Sequence, residues 1–532
     1  MRLCVHQIAV KLDYDDGDVL SAIARVLGCR AADLTNLRIL RRSIDARRTD
    51  APPRFVLSVE IDVPNTWSSE IKPGRIERVE TQQPAAPIRR TYARAHRPIV
   101  IGAGPAGLLA ALTLAETGAK PLLIERGADV HVRAPQVEAF WKEGVLDPES
   151  NVLYGEGGAG LFSDGKLTSR SKERGAIRRL FELLVDLGAS SDILIDAEPH
   201  LGSDVLAHVI PRLRTRIQES GGEIRCNARL DGLHIEGDAV RGLTVSGEEV
   251  ETDACFLATG HSARDVYRML ADAGVPMSAK AFAIGVRLEM PQAKIDRAQY
   301  GRWASHPRLR SAGFRITRRS EGDARACYTF CNCPGGLVMA CASSPGRLTT
   351  NGMSYSSRAK PFGNAAFLVP VGPQDYPVGE DPVLAGIAFQ ESMEQAAFAA
   401  GGGDYGLPAQ PLGDFLAGRE PHAVPTARSC TRVVPANVGD LLPDAVLRTL
   451  RRVLPKMLHE LNAMRPEDVL VYGVETRSSS PVRVLRDPQT RESIGIKGLF
   501  PVGEGSGYAG GIVSSALDGM GAVTGVAVGC NR

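Results

Sequence analysis

Nowhere does this sequence run for roughly eighteen apolar residues without a charge, so no membrane-crossing helix is expected. The opening MRLCVHQIAVKLDYDD also lacks the uninterrupted apolar core of a secretory signal. Neither sign of charge is in excess: 63 Lys and Arg stand against 61 Asp and Glu, a net charge of +2. That balance gives no global pull towards nucleic acid or a membrane surface, so a nucleic-acid partner is not expected. Cysteine is sparse, at ten in 532 residues. Without a secretory signal, these are expected to be reduced thiols of a cytoplasmic protein rather than a disulfide framework. Cys327, Cys331, Cys333 and Cys341 show neither C-x-x-C pairs nor a known cluster spacing, so no metal is expected.

The composition that is present is globular. Hydrophobic residues make up 43% and charged residues 23%, and the length predicts two or three domains. With 56 Gly and 34 Pro, many tight turns and backbone-lined sites are expected. Residues 1–75 read as a small α+β domain: CVHQIAVKLDY and RFVLSVEIDV have strand patterns, and DVLSAIARVLG is an amphipathic helix. Its RRSIDARR stretch (41–48) is either a solvated turn of Arg–Asp pairs or an anion-binding or docking patch. Residues 76–96 have linker composition. A nucleotide-binding part is expected over 97–275, a β-rich cap or substrate domain over 276–464, and a closing nucleotide-binding part over 465–532. The strand-like runs AFAIGVRLEM, LVMACAS and AAFLVP fall in the cap.

The sharpest motif is PIVIGAGPAG, residues 98–107, in which a buried strand leads into Gly102-x-Gly104-x-x-Gly107 and a helix of small residues. Gly102 permits the tight turn, Gly104 lets backbone approach a pyrophosphate, and Gly107 lets helix pack on strand. Pro105 and Ala106 open the helix, whose N-terminal amides face the phosphates. A second strand, KPLLIE, ends at Glu125, placed for ribose hydroxyls and followed by Arg126. The chain then returns twice: CFLATG ends at Thr259 and Gly260, and GLFPVGEG carries Gly503 and Glu504. This last segment resembles the closing motif of glutathione-reductase-type flavoproteins. The resemblance implies that Glu504 binds a ribityl hydroxyl and that Gly510, Gly511 and Ile512 open a helix aimed at the flavin pyrimidine. The cofactor expected is FAD. By a similar resemblance to flavoproteins of the fumarate-reductase class, Gly157, Gly158, Gly160, Ser163 and Lys166 belong near FAD.

Nearly the whole chain resembles FAD-dependent dehydrogenase-like proteins that carry an extra N-terminal α+β domain. The resemblance rests on RRSIDARR, GEGGAGLFSDGKL (155–167), PHLGSD (199–204), GHSARD (260–265), AIGVRLE (283–289), CNCPGG (331–336), TNGMS (350–354) and VETRSSSPVR (474–483). It implies an α/β fold: a Rossmann-like FAD domain, an inserted β-rich cap and the small N-terminal α+β domain. Where that family has His after GVR-x-E, Met290 stands here, which argues against a proton-transfer role at that point.

Three groups could carry chemistry. His261, with Arg264 and Asp265, could shuttle a proton, since imidazole titrates near neutrality, or could tie its loop to the sheet. Arg287, Arg477 and Arg483, with Glu475 near by, could hold an anionic substrate or FAD, or could pair internally and fasten the cap. Cys331 and Cys333 could be a redox pair or buried unreactive thiols. The C-x4-C dithiol of disulfide reductases is absent after the first nucleotide motif, and no second GxGxxG unit follows. NAD(P)H could therefore reduce the flavin only by transient docking. The reading is an FAD-dependent oxidoreductase moving a hydride between a small-molecule substrate and flavin N5. The alternatives are a flavoenzyme docked on RNA or another macromolecule through the N-terminal domain, and a non-catalytic flavin-binding protein.

Overall fold

The computed structural model describes the chain except for residues 49, 69–70, 80–91, 93, 322–324, 426–427, 462–463 and 529–532. At the N-terminus, alternating burial along Arg2–Val10 turns Leu3, Val5, Ile8 and Val10 inward, with a register shift between Val5 and Ile8 that keeps the apolar face continuous. The antiparallel sheet runs Thr35–Asp45, Arg54–Asp62, Arg2–Val10, Ile76–Arg78. Helix Asp16–Leu27 packs on it through Val19, Ile23 and Leu27. It is held at its start by a reciprocal Asp15–Asp18 capping box and ends at Gly28, φ 67°. Ile76–Arg78 pairs with Leu3–Val5, so the first residues of the expected linker belong to this sheet. Residues 80–91 and 93 of that linker lie outside the described residues.

Two of the RRSIDARR arginines make short-range pairs, Arg47 with Asp45 and Arg48 with Asp50. Arg42 is different. It reaches the next domain, donating to Asp196 at 2.7 Å and Asp192 at 3.0 Å, while its backbone amide meets the Ile195 carbonyl at 2.6 Å. The stretch thus contains both solvated pairs and an intramolecular docking contact.

Five parallel strands form the nucleotide-binding sheet in the order Leu499–Pro501, Cys255–Leu257, Ile99–Ile101, Leu122–Ile124, Glu223–Arg225. Strands separated by hundreds of residues are therefore neighbours, and Phe256 and Phe500 stack across them at 4.9 Å. Helix Pro105–Glu116 is apolar nearly all round because it packs among the sheet, helix Ser203–Glu219 and helix Ile512–Val528. A three-stranded antiparallel sheet (Leu230–Glu236, Ala239–Val245, Glu248–Glu251) and helix Arg264–Asp272 complete this part.

The remaining body is a seven-stranded sheet in the order Thr317–Arg319, Ala326–Cys333, Phe362–Val371, Phe282–Pro291, Leu470–Glu475, Leu407–Pro411, Val433–Pro435. Its strands are antiparallel except for the last pair. A hairpin of Leu337–Cys341 and Thr349–Met353 lies beside it. The central strand Phe282–Pro291 is buried on both faces, and the two charged residues in its otherwise apolar run, Arg287 and Glu289, are buried with it. Leu470–Glu475 is its direct partner, so the expected boundary at 464 cuts this sheet. That strand belongs to the cap because its own apolar residues are covered there. Among the described residues, no helix is long and apolar enough to cross a membrane.

Arg42→Ala should weaken docking of the N-terminal domain by roughly 1.5–3 kcal/mol, the scale of charged hydrogen bonds. Faster amide exchange in Ser191–Leu194, with helix Pro105–Glu116 unchanged, is the expected reading. Equal exchange in both would show that Arg42 does not hold the domain.

Candidate functional site

Buried strand Ile99–Ile101 delivers the chain to Gly102, where φ is 100° and an added Cβ would sit 2.5 Å from the Ala258 carbonyl oxygen. At Gly107 an added Cβ would lie 1.8 Å from the Gly102 oxygen. Gly107 is thus a packing residue and does not border the cavity described below. Gly104 does border it, and the nearest atom to an added Cβ there is Gly158 Cα at 4.0 Å. Pro105 and Ala106 follow at the start of the helix, whose first amides have no side-chain cap and face open space. Glu125 accepts from the amides of Ala103 (2.7 Å), Gly127 (2.9 Å) and Gly155 (2.9 Å). Two carboxylate oxygens offer about four acceptor positions, which leaves one for a ribose hydroxyl. Arg126 lies across the Tyr154 ring at 4.2 Å and pairs with Glu149 and Asp265.

The glycine-rich loop after these strands is organised by Arg133, a residue that sequence reasoning missed. Its guanidinium, wholly buried, donates to the carbonyls of Asn151, Val152, Gly155, Glu156 and Gly158 at 2.8–3.1 Å. Burial lowers its pKa to about 10, against the pull of Glu125 and Glu156. With its carbonyls drawn to Arg133, the loop brings Gly158, Gly160, Ser163 and Lys166 to the cavity. Gly157 instead packs against Ile210. Lys166 donates to the Asn332 carbonyl and lies 3.0 Å from Asp164. Burial works against its charge, but Asp164, Cys333 and Cys331 together hold its pKa up.

Thr259, Gly260, His261, Glu504, Gly510, Gly511 and Ile512 also border the cavity, the last three leading into helix Ile512–Val528, and Thr259 lies directly beside Gly102. Gly503 lies behind them, φ 75°, its amide donating to Asp518 at 2.8 Å. Burial pushes Glu504 up to about 7. His261 departs from the expectation of a near-neutral titration. Burial, with Arg477 and Arg264 close by, drives its pKa down to about 3 and so favours the neutral ring. Its Nδ1 is buried without a hydrogen-bond partner among the described residues.

The arginines are largely engaged with protein. Arg264 and Arg477 both clamp the fully buried Glu394, at 2.8 Å and 2.7 Å, which holds that carboxylate far below its usual range. Arg264 does not border the cavity, and Arg477 does. Arg287 pairs bidentately with Glu475 (2.7 and 2.8 Å) and also donates to Asn364, Asn351 and the Cys331 carbonyl. It is completely buried and away from the cavity, so of the two roles open to it the geometry shows the internal one. Arg483 lies over the Tyr508 ring at 4.8 Å. Met290 is buried in the central strand.

All these walls enclose one cavity of about 560 Å³, between the parallel sheet and the seven-stranded one. That lies within the ~300–1,000 Å³ usual for cofactor and ligand sites. An open glycine turn, two helix N-termini, a carboxylate with a spare acceptor and an orphaned imidazole nitrogen fit a flavin dinucleotide. Beyond the nucleotide positions the cavity continues past Phe330, Cys331, Thr350 and Asn351, where the Thr350 hydroxyl is also unpartnered among the described residues. Both belong to the TNGMS motif (350–354), to which the sequence assigned no role.

Comparison with known proteins agrees. Residues 281–478 match the family described as FAD-dependent protein, C-terminal domain-like. Residues 100–155 match an NAD(P)-binding Rossmann-like domain, and residues 3–62 a domain of unknown function. An "Uncharacterized protein" of Clostridium beijerinckii is 40% identical over 529 residues, covering 98% of this chain and 97% of its own. Among solved structures, the halogenase PltM (12% identical, TM-score 0.35) covers 81% of this chain and 67% of its own. CtdE in complex with FAD (12% identical, TM-score 0.30) covers 81% and 87%. Likeness this low does not bear on the reaction of this chain.

Gly104→Ala should leave the apoprotein's stability within about 0.5 kcal/mol while weakening FAD binding at least ~tenfold. Gly102→Ala should damage both. Denaturant unfolding beside flavin-fluorescence titration checks the pair, and undiminished FAD affinity in Gly104→Ala would move the pyrophosphate elsewhere. Glu504 binds more protons folded than unfolded. Its contribution to apoprotein stability therefore falls as pH rises from ~4.3 through about 7. Thermal melts across that window should show this component lost in Glu504→Gln, and an unchanged pH slope would place the titration on another group.

Proposed function

The chain belongs to a family of FAD-dependent proteins, and from that premise we propose that it is an oxidoreductase moving a hydride between a small-molecule substrate and flavin N5. FAD is its cofactor, and when bound it supplies the two-electron acceptor. The observation that carries the reading is the continuity of the cavity, which runs from the nucleotide turn at Gly104, past Glu504, to a region under the seven-stranded sheet. A purely structural flavin would need no such extension.

In this reading the chain's own groups bind and orient. The neighbouring helix N-termini at Pro105 and Ile512 favour negative charge on the part of the cofactor they face. The proposed nucleotide contacts are Glu125 at the ribose and the Gly102–Ala106 turn and Gly158–Ser163 loop at the phosphates. Neutral His261 and the Thr350 hydroxyl offer uncharged hydrogen bonds for a substrate. Arg477 borders the cavity while paired with Glu394, and its guanidinium is the group on that wall that an anionic substrate would meet. Cytoplasmic residence and transient docking of NAD(P)H belong to the same proposal.

The test is an absorbance spectrum of the purified protein, followed anaerobically during additions of NADH and then NADPH. Flavin bands that bleach with one nicotinamide identify a reductase and its donor. Bands that bleach only with an organic substrate support the dehydrogenase reading. Bands that no metabolite bleaches, although dithionite does, would overturn the catalytic reading.

A further inference from the structure

We propose that Cys331 and Cys333 form a dithiol–disulfide couple that exchanges two electrons with the FAD held in the same cavity. The proposal rests on the FAD reading above and adds a second redox centre to it. The two cysteines differ in placement as such a couple requires. Cys331 borders the cavity, whereas Cys333 is completely buried behind it. They sit at the end of strand Ala326–Cys333, where the pairing with Phe362–Val371 shifts register between Phe330 and Cys333. Cys331 itself is in the left-handed region, φ 42°, which a residue with a Cβ rarely adopts unless its surroundings hold it there. The bend brings the Cys333 sulfur to 3.4 Å from the Cys331 carbonyl oxygen.

Two cations converge on the same turn. Lys166, from the glycine-rich loop, donates to the Asn332 carbonyl between the cysteines, and Arg287 donates to the Cys331 carbonyl at 3.2 Å. Thiolates form where cations and hydrogen-bond donors surround a partly accessible sulfur. In keeping with this, a hydrogen bond from Cys333, with Lys166 and Arg287, holds Cys331 well below the usual thiol range despite its burial. Buried cysteines elsewhere behave oppositely: burial pushes Cys255 and Cys341 up to about 12.

The step balances within the holoprotein. When the couple is oxidised, the Cys333 S–H bond breaks and one S–S bond forms to the Cys331 thiolate. Two electrons and the one proton pass to FAD, which becomes the anionic reduced flavin. Reduction of the disulfide reverses each flow.

The experiment is an anaerobic dithionite titration of the air-oxidised holoprotein, beside Cys331→Ser and Cys333→Ser. The wild type should take up four electrons per bound FAD and each variant two. In parallel, free thiols are alkylated and the peptide holding both cysteines is weighed. It should be unblocked and short of two hydrogens in the oxidised protein, and blocked twice after reduction. This second measurement needs no variant. Bound flavin with an uptake of two electrons in the wild type, or a doubly blocked peptide in the oxidised protein, would overturn this proposal and leave the cofactor reading intact. A chain that binds no flavin would overturn both.

Discussion

The cavity takes its shape from five carbonyl groups that point away from it, towards the guanidinium of Arg133. A guanidinium offers five N–H donors in a fixed plane, and here each arm meets main-chain oxygen of residues 151–158. With its carbonyls engaged, the loop can lend amides to its other neighbours: Gly155 donates to Glu125, and Gly157 to the Ala103 carbonyl at 2.9 Å. The same loop presses Gly158 against Gly104 beside the proposed pyrophosphate position. Removing the guanidinium would leave several carbonyls buried without partners, each costing about 1–3 kcal/mol. Gly155 cannot carry a side chain for the same reason, since an added Cβ would fall 2.4 Å from the Arg133 Cδ.

A second buried charge fastens the two large sheets to each other. Glu394 lies on helix Ala385–Ala400 of the cap, while Arg264 begins a helix of the nucleotide-binding part and Arg477 follows the strand Leu470–Glu475. Arg264 also reaches Glu391 at 3.6 Å, so the cluster joins two guanidiniums to two carboxylates. Burial first, then the nearby Arg477 and Arg264, favours neutral His261. The packing of the cap and the protonation of the cavity wall are therefore two results of one ion cluster.

What was legible beforehand follows from how locally each feature is encoded. The turn at 102–107, the acid at 125 and the returns at 255–260 and 498–505 are short-range constraints on backbone, and a glycine or a strand end records each one. The strand runs of the cap were legible because a strand buried on both faces is mostly apolar, Arg287 and Glu289 being the buried exceptions in its central strand. Arg133 was not, since one arginine in an ordinary helix gives no sign that it meets five carbonyls across a bend. Glu394 likewise sits in a helix of small residues with nothing local to mark it. The pairing of Phe282–Pro291 with Leu470–Glu475 depends on register between distant segments, and so the boundary at 464 was misplaced. The ordinary titration expected of His261 failed because neighbours, not the residue, set its charge.

The parallel sheet places strand Leu499–Pro501 beside Cys255–Leu257, and the helix beginning at Ile512 forms one end wall of the cavity. The turn at Gly104–Ala106, far away in the sequence, is its neighbour: an added Cβ on Gly160 would meet Ile512 at 3.5 Å and Pro105 at 3.7 Å. The pocket is therefore a long-range object: neither the glycine turn at Gly102–Ala106 nor the helix opening at Ile512 forms it alone, and a change that unseats one helix from the other empties the site without touching a residue that lines it.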